Sequence, residues 1–260
     1  MRLSKWHGLG NDYLLLEQTK PALALDSDRA HQICDYHFGV GSDGIIEVVS
    51  ESGDEAEVRI WNPDGSLAEL SGNGTRIAAR WLARKNQRET VRVRVGERVV
   101  EAHMLGGLDV ETDMGEVTVA APETLAVGDE EIEFIPVSVG NPHAVIRRDP
   151  ERSEVLRLGP LVERHKRFPE RTNVQLVHVD GEHEITAGVW ERGAGETLAS
   201  GTSSVAAVAA AIARGWCVSP VIVHLLGGDL NVEISAENRA TLVGAAQEIC
   251  MIELSNEFEL

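Results

Sequence analysis

Residues 61–78 read WNPDGSLAELSGNGTRIA, and residues 190–207 read WERGAGETLASGTSSVAA. The two stretches lie 129 positions apart, and Trp61, Ser71, Gly72 and Ala78 recur as Trp190, Ser200, Gly201 and Ala207. Each runs from a tryptophan, through a loop carrying glycine and acidic residues, to Ser-Gly and then into alanine-rich sequence. Outward from this pair, an offset of 130 aligns Gly10-Asn11 with Gly140-Asn141. Further on, Leu105-Gly106-Gly107 and Leu226-Gly227-Gly228 each lead into a valine-rich pattern. Ser-Gly-Ala strings are common singly. Several matches in one order indicate a chain built from two similar halves.

Most other segments read as strands. Ile45 to Val49, Glu57 to Trp61, Val91 to Val95, Val137 to Val139, Val174 to Val179, Ile185 to Trp190 and Val221 to Leu226 are short and rich in β-branched residues. Gly, Asn, Asp and Pro lie between them. Three segments read as helices: Ser27 to Phe38, Asn73 to Lys85 and Thr202 to Arg214. Many strands and few helices favour an α+β class over a doubly wound sheet. The expected arrangement is two β-rich lobes, each wrapped around one helix. Their boundary is expected near Ala120-Ala121-Pro122. This gives an N-terminal lobe over 1–118, completed by 249–260, and a C-terminal lobe over 119–248.

The chain has 260 residues, of which 43% are hydrophobic and 25% charged, an ordinary globular mix. Its 24 Lys and Arg against 42 Asp and Glu leave a net charge of −18, which repels phosphate backbones and anionic lipid. Neither nucleic acid nor a membrane is an expected partner. The apolar run from Val205 to Ala213 is too short to span a bilayer. Met1 to Lys20 lacks a basic-then-apolar leader pattern, so a cytoplasmic location is expected. The three cysteines, Cys34, Cys217 and Cys250, are too few and too scattered for a disulfide framework or a zinc site.

The chemistry is expected at Ser71-Gly72-Asn73-Gly74 and Ser200-Gly201-Thr202-Ser203, where each half enters a helix. The first amides of a helix lack internal partners and carry partial positive charge, so they suit a carboxylate. If the halves are related by a pseudo-twofold axis, both helix starts can address one carboxylate, with Ser71 and Ser200 on opposite sides of the attached carbon. That suits a reaction in which a proton leaves one face and another arrives on the other. The plainer alternative is a pair of N-caps, each worth about 1 kcal/mol. Capping accounts for the serines. It leaves unexplained why Asn62, Asn141, Asn173, His143, Glu191 and Arg192 fall in similar turn-like settings.

Six motifs, His7-Gly-Leu-Gly-Asn-Asp12, Gly39-Val-Gly-Ser-Asp-Gly44, Asn62-Pro-Asp-Gly65, Ser71-Gly-Asn-Gly-Thr-Arg76, Gly140-Asn-Pro-His143 and Glu191-Arg-Gly-Ala-Gly-Glu-Thr197, stand in this order. The set resembles that of diaminopimelate epimerase, over about Lys5 to Gly228. The resemblance implies two pseudo-symmetric lobes, each a mostly antiparallel β-barrel around a central helix. It implies a homodimer using neither metal nor pyridoxal phosphate, with no cofactor of any kind, that interconverts LL- and meso-diaminopimelate in lysine and cell-wall precursor synthesis. It implies that Asn11, Gly72, Asn73, Gly201 and Thr202 hold the carboxylate and amine at the reacting carbon. Asn62, Asn141, Asn173, Glu191 and Arg192 would read the distal end, where a guanidinium suits a carboxylate. His143 and Glu191 would assist the two proton-transfer groups.

The resemblance also implies cysteine where this chain has Ser71 and Ser200. A thiol has a reference pKa near 8.5 and falls further at a helix N-terminus, whereas a serine hydroxyl is a far weaker acid. A Ser/Ser version of a two-thiol mechanism is expected to be slower by orders of magnitude. Three accounts fit: a natural enzyme with His143 and Glu191 as bases, acting directly or through the serines; a laboratory double substitution that traps ligand; or a relative that has lost or changed its reaction. Drift at Leu70, Ala199 and the residues around them favours a natural sequence. The alternatives to an epimerase are a same-fold isomerase or racemase acting on another acid and an amino-acid-binding protein without turnover.

Other signals are discounted. Gly39 to Gly44 fits G-x-G-x-x-G, but a helical pattern precedes it and a strand follows, the reverse of a dinucleotide site. Glu69 and Leu198 stand where G-x-S-x-G needs its first glycine, which argues against a serine hydrolase. Asp180-Gly-Glu-His-Glu184 lacks a second histidine at ligand spacing and reads as a turn.

Overall fold

A computed structural model describes residues 2–17, 25–68 and 71–258. Met1, residues 18–20, Glu69 and Leu70, which enter the sequence reading, lie outside the described residues. The described residues form eighteen strands and four helices, an α+β fold. The chain divides into two compact units, Met1–Thr112 with Gly244–Leu260, and Asp113–Val243.

The first unit comprises β1 (Arg2–Gly8), β2 (Asn11–Glu17), α1 (Ser27–Cys34), β3 (Ile45–Ser52), β4 (Glu55–Trp61), α2 (Gly72–Asn86), β5 (Thr90–Val95), β6 (Arg98–Gly106) and the start of β7 (Asp109–Glu116). The second carries β8 (Thr118–Val119), β9 (Glu123–Val127), β10 (Glu130–Ser138), β11 (Pro142–Arg147), α3 (Arg152–Glu163), β12 (Asn173–Gly181), β13 (Glu184–Glu191), β14 (Gly195–Glu196), α4 (Gly201–Ala213), β15 (Val221–Leu225), β16 (Gly228–Ile234) and most of β17 (Arg239–Ala245). The last strand, β18 (Gln247–Glu253), returns to the first unit and pairs with β1.

The duplication is visible in the pairings. In the first unit β1 and β2 are antiparallel, β2 and β3 parallel across α1, and β3 and β4 antiparallel. Then β4 and β5 run parallel across α2, and β5, β6 and β7 are antiparallel. The second unit repeats this order: β10 with β11, β11 with β12 across α3, β12 with β13, β13 with β15 across α4, then β15, β16 and β17. Parallel neighbours need a crossover, and a helix supplies it each time.

The second crossover helix of each unit is central. The helix α4 carries no charged residue, and every residue from Gly201 to Ala211 is buried. A helix apolar all round is stable only when enclosed, and α4 packs against β10 to β13, β15 and β16. The helix α2 packs on β1, β2 and β4 to β6, with Ile77, Ala78 and Leu82 fully buried. Its outer end carries Arg84 and Lys85, which suit a helix C-terminus.

Two helices differ from the sequence reading. The helix α1 stops at Cys34, short of Phe38, because the Asp35 carboxylate accepts the backbone N–H groups of His37 and Phe38, both at 2.7 Å, and turns the chain. The helix α3 was not anticipated, since Gly159 and Pro160 lower its intrinsic propensity. Packing overrides propensity there: a Cβ on Gly159 would lie 2.5 Å from the Trp190 ring, so glycine lets the helix seat on the indole. No described helix is long and apolar enough to cross a membrane.

Candidate active site

In the first unit the β1–β2 hairpin turns through Leu9 and Gly10, both at positive φ, and delivers Asn11 to the start of β2. Ser71 is the N-cap of α2. Its Oγ accepts the Gly74 N–H at 3.0 Å and lies 2.9 Å from the Tyr13 hydroxyl. One residue into α2, Asn73 is 3% exposed, and its Nδ2 donates to Asn11 Oδ1 at 3.0 Å. Thus Asn11, Ser71, Gly72 and Asn73 are brought together. Asn62 is placed otherwise: it opens the turn after β4, and its Nδ2 donates to Ser66 Oγ at 2.9 Å.

The second unit arranges its counterpart differently. Ser200 is the N-cap of α4 and is 3% exposed, yet its hydroxyl does not cap the helix. It donates instead to the Glu191 carboxylate at 2.9 Å. Glu191 ends β13, held by its pairing with Gly195 of β14. Asn173 bridges two loops, donating through Nδ2 to the Pro142 carbonyl and accepting the Arg192 N–H, both at 2.9 Å. Gly201 and Thr202 form the first turn of α4.

His143 is 1% exposed, with both ring nitrogens engaged. Gln175 Nε2 donates to Nδ1 at 3.1 Å, so the proton sits on Nε2 and is given to Asn141 Oδ1 at 2.9 Å. That tautomer is assigned from the partners. Burial pushes the His143 pKa down to about 3, and the Arg192 charge acts in the same direction. His143 is therefore neutral at pH 7, with its lone pair already occupied. Between pH 6.5 and about 3 the unfolded chain binds this proton and the folded chain does not. Stability should therefore fall as the pH drops through that window. In urea titrations at pH 7 and pH 5, His143→Gln should lose one proton's worth of that dependence; an unchanged pH slope would contradict it.

Sequence reading missed several residues that hold these groups. Tyr13 faces Ser71, and Gln175 links His143 to Ser203 Oγ at 3.0 Å. Glu163 is buried, accepting the Trp190 indole N–H at 2.9 Å and the Gly193 N–H at 3.0 Å, and so fixes the turn bearing Glu191 and Arg192. A polar residue inside an apolar strand pattern was the available signal for Gln175. Glu163 carried none, since α3 itself was not foreseen. Among the described residues no group of three or more His, Cys, Asp or Glu side chains is placed to hold a metal ion.

The whole architecture has close structural counterparts. A phenazine biosynthesis protein of the PhzF family from Bacillus anthracis superposes with a TM-score of 0.73 at 14% identity, over 98% of this chain and 99% of that one. A probable proline racemase from Agrobacterium radiobacter superposes with a TM-score of 0.72 at 16% identity, over 98% and 93%. These define the fold class, a two-lobed α+β architecture with a central helix in each lobe. The sequence profile described as diaminopimelate epimerase matches residues 3–120 and 135–249. A diaminopimelate epimerase of Synechocystis sp. is 38% identical, over 96% of this chain and 97% of its own length. The chain belongs to the diaminopimelate epimerase family, and so to the isomerase class.

Proposed function

We propose that this protein is a cofactor-independent epimerase that interconverts LL- and meso-diaminopimelate by two-sided α-proton transfer, as a cytoplasmic homodimer serving lysine synthesis. The carrying observation is that each repeat starts its central helix at a serine whose hydroxyl contacts another proton-bearing or proton-accepting side chain: Tyr13 at Ser71 and Glu191 at Ser200. The amides of Gly72, Asn73, Gly201 and Thr202 would stabilise negative charge that grows on the substrate carboxylate as the α-proton leaves. The distal amino-acid end would meet Asn62, Asn141, Asn173 and Arg192. Glu191 would act as the base at Ser200, taking the hydroxyl proton as the hydroxyl takes the α-proton. His143, neutral and doubly bonded, would position Asn141 and Gln175.

Isothermal titration against LL-, meso- and DD-diaminopimelate, with deuterium incorporation at the α-carbon in deuterated water, tests this. Binding of the LL and meso forms with measurable exchange is expected. Failure to bind any of the three would overturn the substrate. One observation favours a second reading, an amino-acid-binding protein without turnover: a phenol and a backbone amide at Ser71 supply no base near neutral pH. Binding without exchange would select it.

A further inference from the structure

We propose that Arg76 and Asp43 are the charged ends of a side-chain relay that orients and polarises Asn11 and Asn73, and that they are positioning residues for the amine and carboxylate at the reacting carbon. The proposal rests on the reading of Asn11 and Asn73 as substrate-binding groups. Arg76 Nη2 donates to Asn73 Oδ1 at 2.8 Å. Asn73 Nδ2 donates to Asn11 Oδ1 at 3.0 Å, and Asn11 Nδ2 donates to Asp43 Oδ2 at 2.8 Å. All these bonds run in one direction, from a cation through two amides to a carboxylate.

The direction follows from chemistry. A guanidinium can only donate and an ionised carboxylate can only accept. Rotating either amide by half a turn would set N–H against N–H at one end and oxygen against oxygen at the other. Both amides are therefore locked in one orientation, although an asparagine alone could adopt either. Successive hydrogen bonds also polarise one another. Arg76 draws electron density from Asn73, making its N–H groups stronger donors, as a substrate carboxylate requires. Asp43 pushes density onto Asn11, making its carbonyl a stronger acceptor, as an ammonium requires. The relay thus assigns Asn73 to the carboxylate and Asn11 to the amine.

Both ends are built for the task. Arg76 is 0% exposed, and no described carboxylate pairs with it. Burial pulls its pKa down to about 10, which still leaves a cation at neutral pH. Its Nη1 is buried without a hydrogen-bond partner among the described residues. Its field therefore falls on Asn73 instead of on a neutralising acid. Asp43 also accepts the Asp12 N–H at 3.0 Å and the Tyr36 hydroxyl at 3.1 Å. The neighbouring Asp12 carboxylate is neutralised by Lys5 at 2.6 Å. Gly44 lets this loop close on β2, since a Cβ there would lie 2.7 Å from the Tyr13 ring. The Gly39–Gly44 motif, which resembled a dinucleotide loop, is accounted for as the mount for Asp43.

Asp43→Asn keeps the size and an acceptor oxygen but removes the charge. Side-chain amide NMR of the full chain should then show shifts of both Asn11 and Asn73, although Asp43 does not touch Asn73. Calorimetric affinity for meso-diaminopimelate should fall about tenfold, with circular dichroism unchanged. Arg76→Lys should likewise move the Asn11 resonance; if that variant does not fold, Asp43→Asn decides alone. A shift confined to Asn11 in Asp43→Asn overturns the relay, whatever the affinity does. If the unaltered chain binds no diaminopimelate, the substrate reading fails, and the resonances still decide the relay.

Discussion

A chain carrying Ser71→Cys and Ser200→Cys together will exchange the α-proton of diaminopimelate with deuterated water about 10³-fold faster than the Ser/Ser chain. That factor corresponds to about 4 kcal/mol of barrier. Acidity sets the difference. A thiol of reference pKa near 8.5 yields a usable thiolate at neutral pH, and a hydroxyl does not. Both positions are N-caps, where the helix start lowers a thiol further. At Ser71 the Gly74 N–H already points at the side-chain oxygen, at 3.0 Å, and would support a thiolate there. Each single cysteine should recover much less, because two-sided transfer needs a competent group for each face. Exchange measured by NMR that stays at the Ser/Ser rate in the double variant would show that these two positions do not handle the proton.

Much of the fold was legible because duplication repeats its signal. Trp61 and Trp190 precede the two Ser-Gly helix starts, and the structure gives those helices the same place in the same strand order. What failed was local. Gly159-Pro160 hid α3 because a tertiary contact with Trp190 outweighs propensity, and only the repeat itself, which demands a crossover matching α1, could have revealed it. The C-terminal end of α1 was misjudged, though its start at Ser27 was not, because a side chain, Asp35, competes for backbone amides that periodicity assigns to the helix.

At the site, residue types in motifs were readable and their partners were not. Ser71, Asn73 and Asn11 announced themselves, while Tyr13, one turnless step along an ordinary strand, carried no mark of its contact with Ser71. His143 shows the same gap. Its motif suggested an acid or base, whereas burial and two fixed partners, Asn141 and Gln175, determine its protonation. Those are properties of packing and appear only when strands are paired.

Glu191→Gln will slow epimerisation about 10³-fold in the Ser/Ser chain and only about 10- to 10²-fold in the Cys/Cys chain, with the Ser200 position behind the difference. Glutamine keeps an oxygen for Ser200 to donate to, at the geometry now held at 2.9 Å, but cannot take the proton. A hydroxyl depends on that acceptance wholly. A thiol, already partly ionised, depends on it less, so the two substitutions must couple instead of adding. Forward and reverse rates should fall together, since the equilibrium between the stereoisomers is not the protein's to change. Equal losses in both backgrounds would show that Glu191 acts on the substrate's distal end alone. In that case its carboxylate is a binding group, and the base at this position must be sought elsewhere.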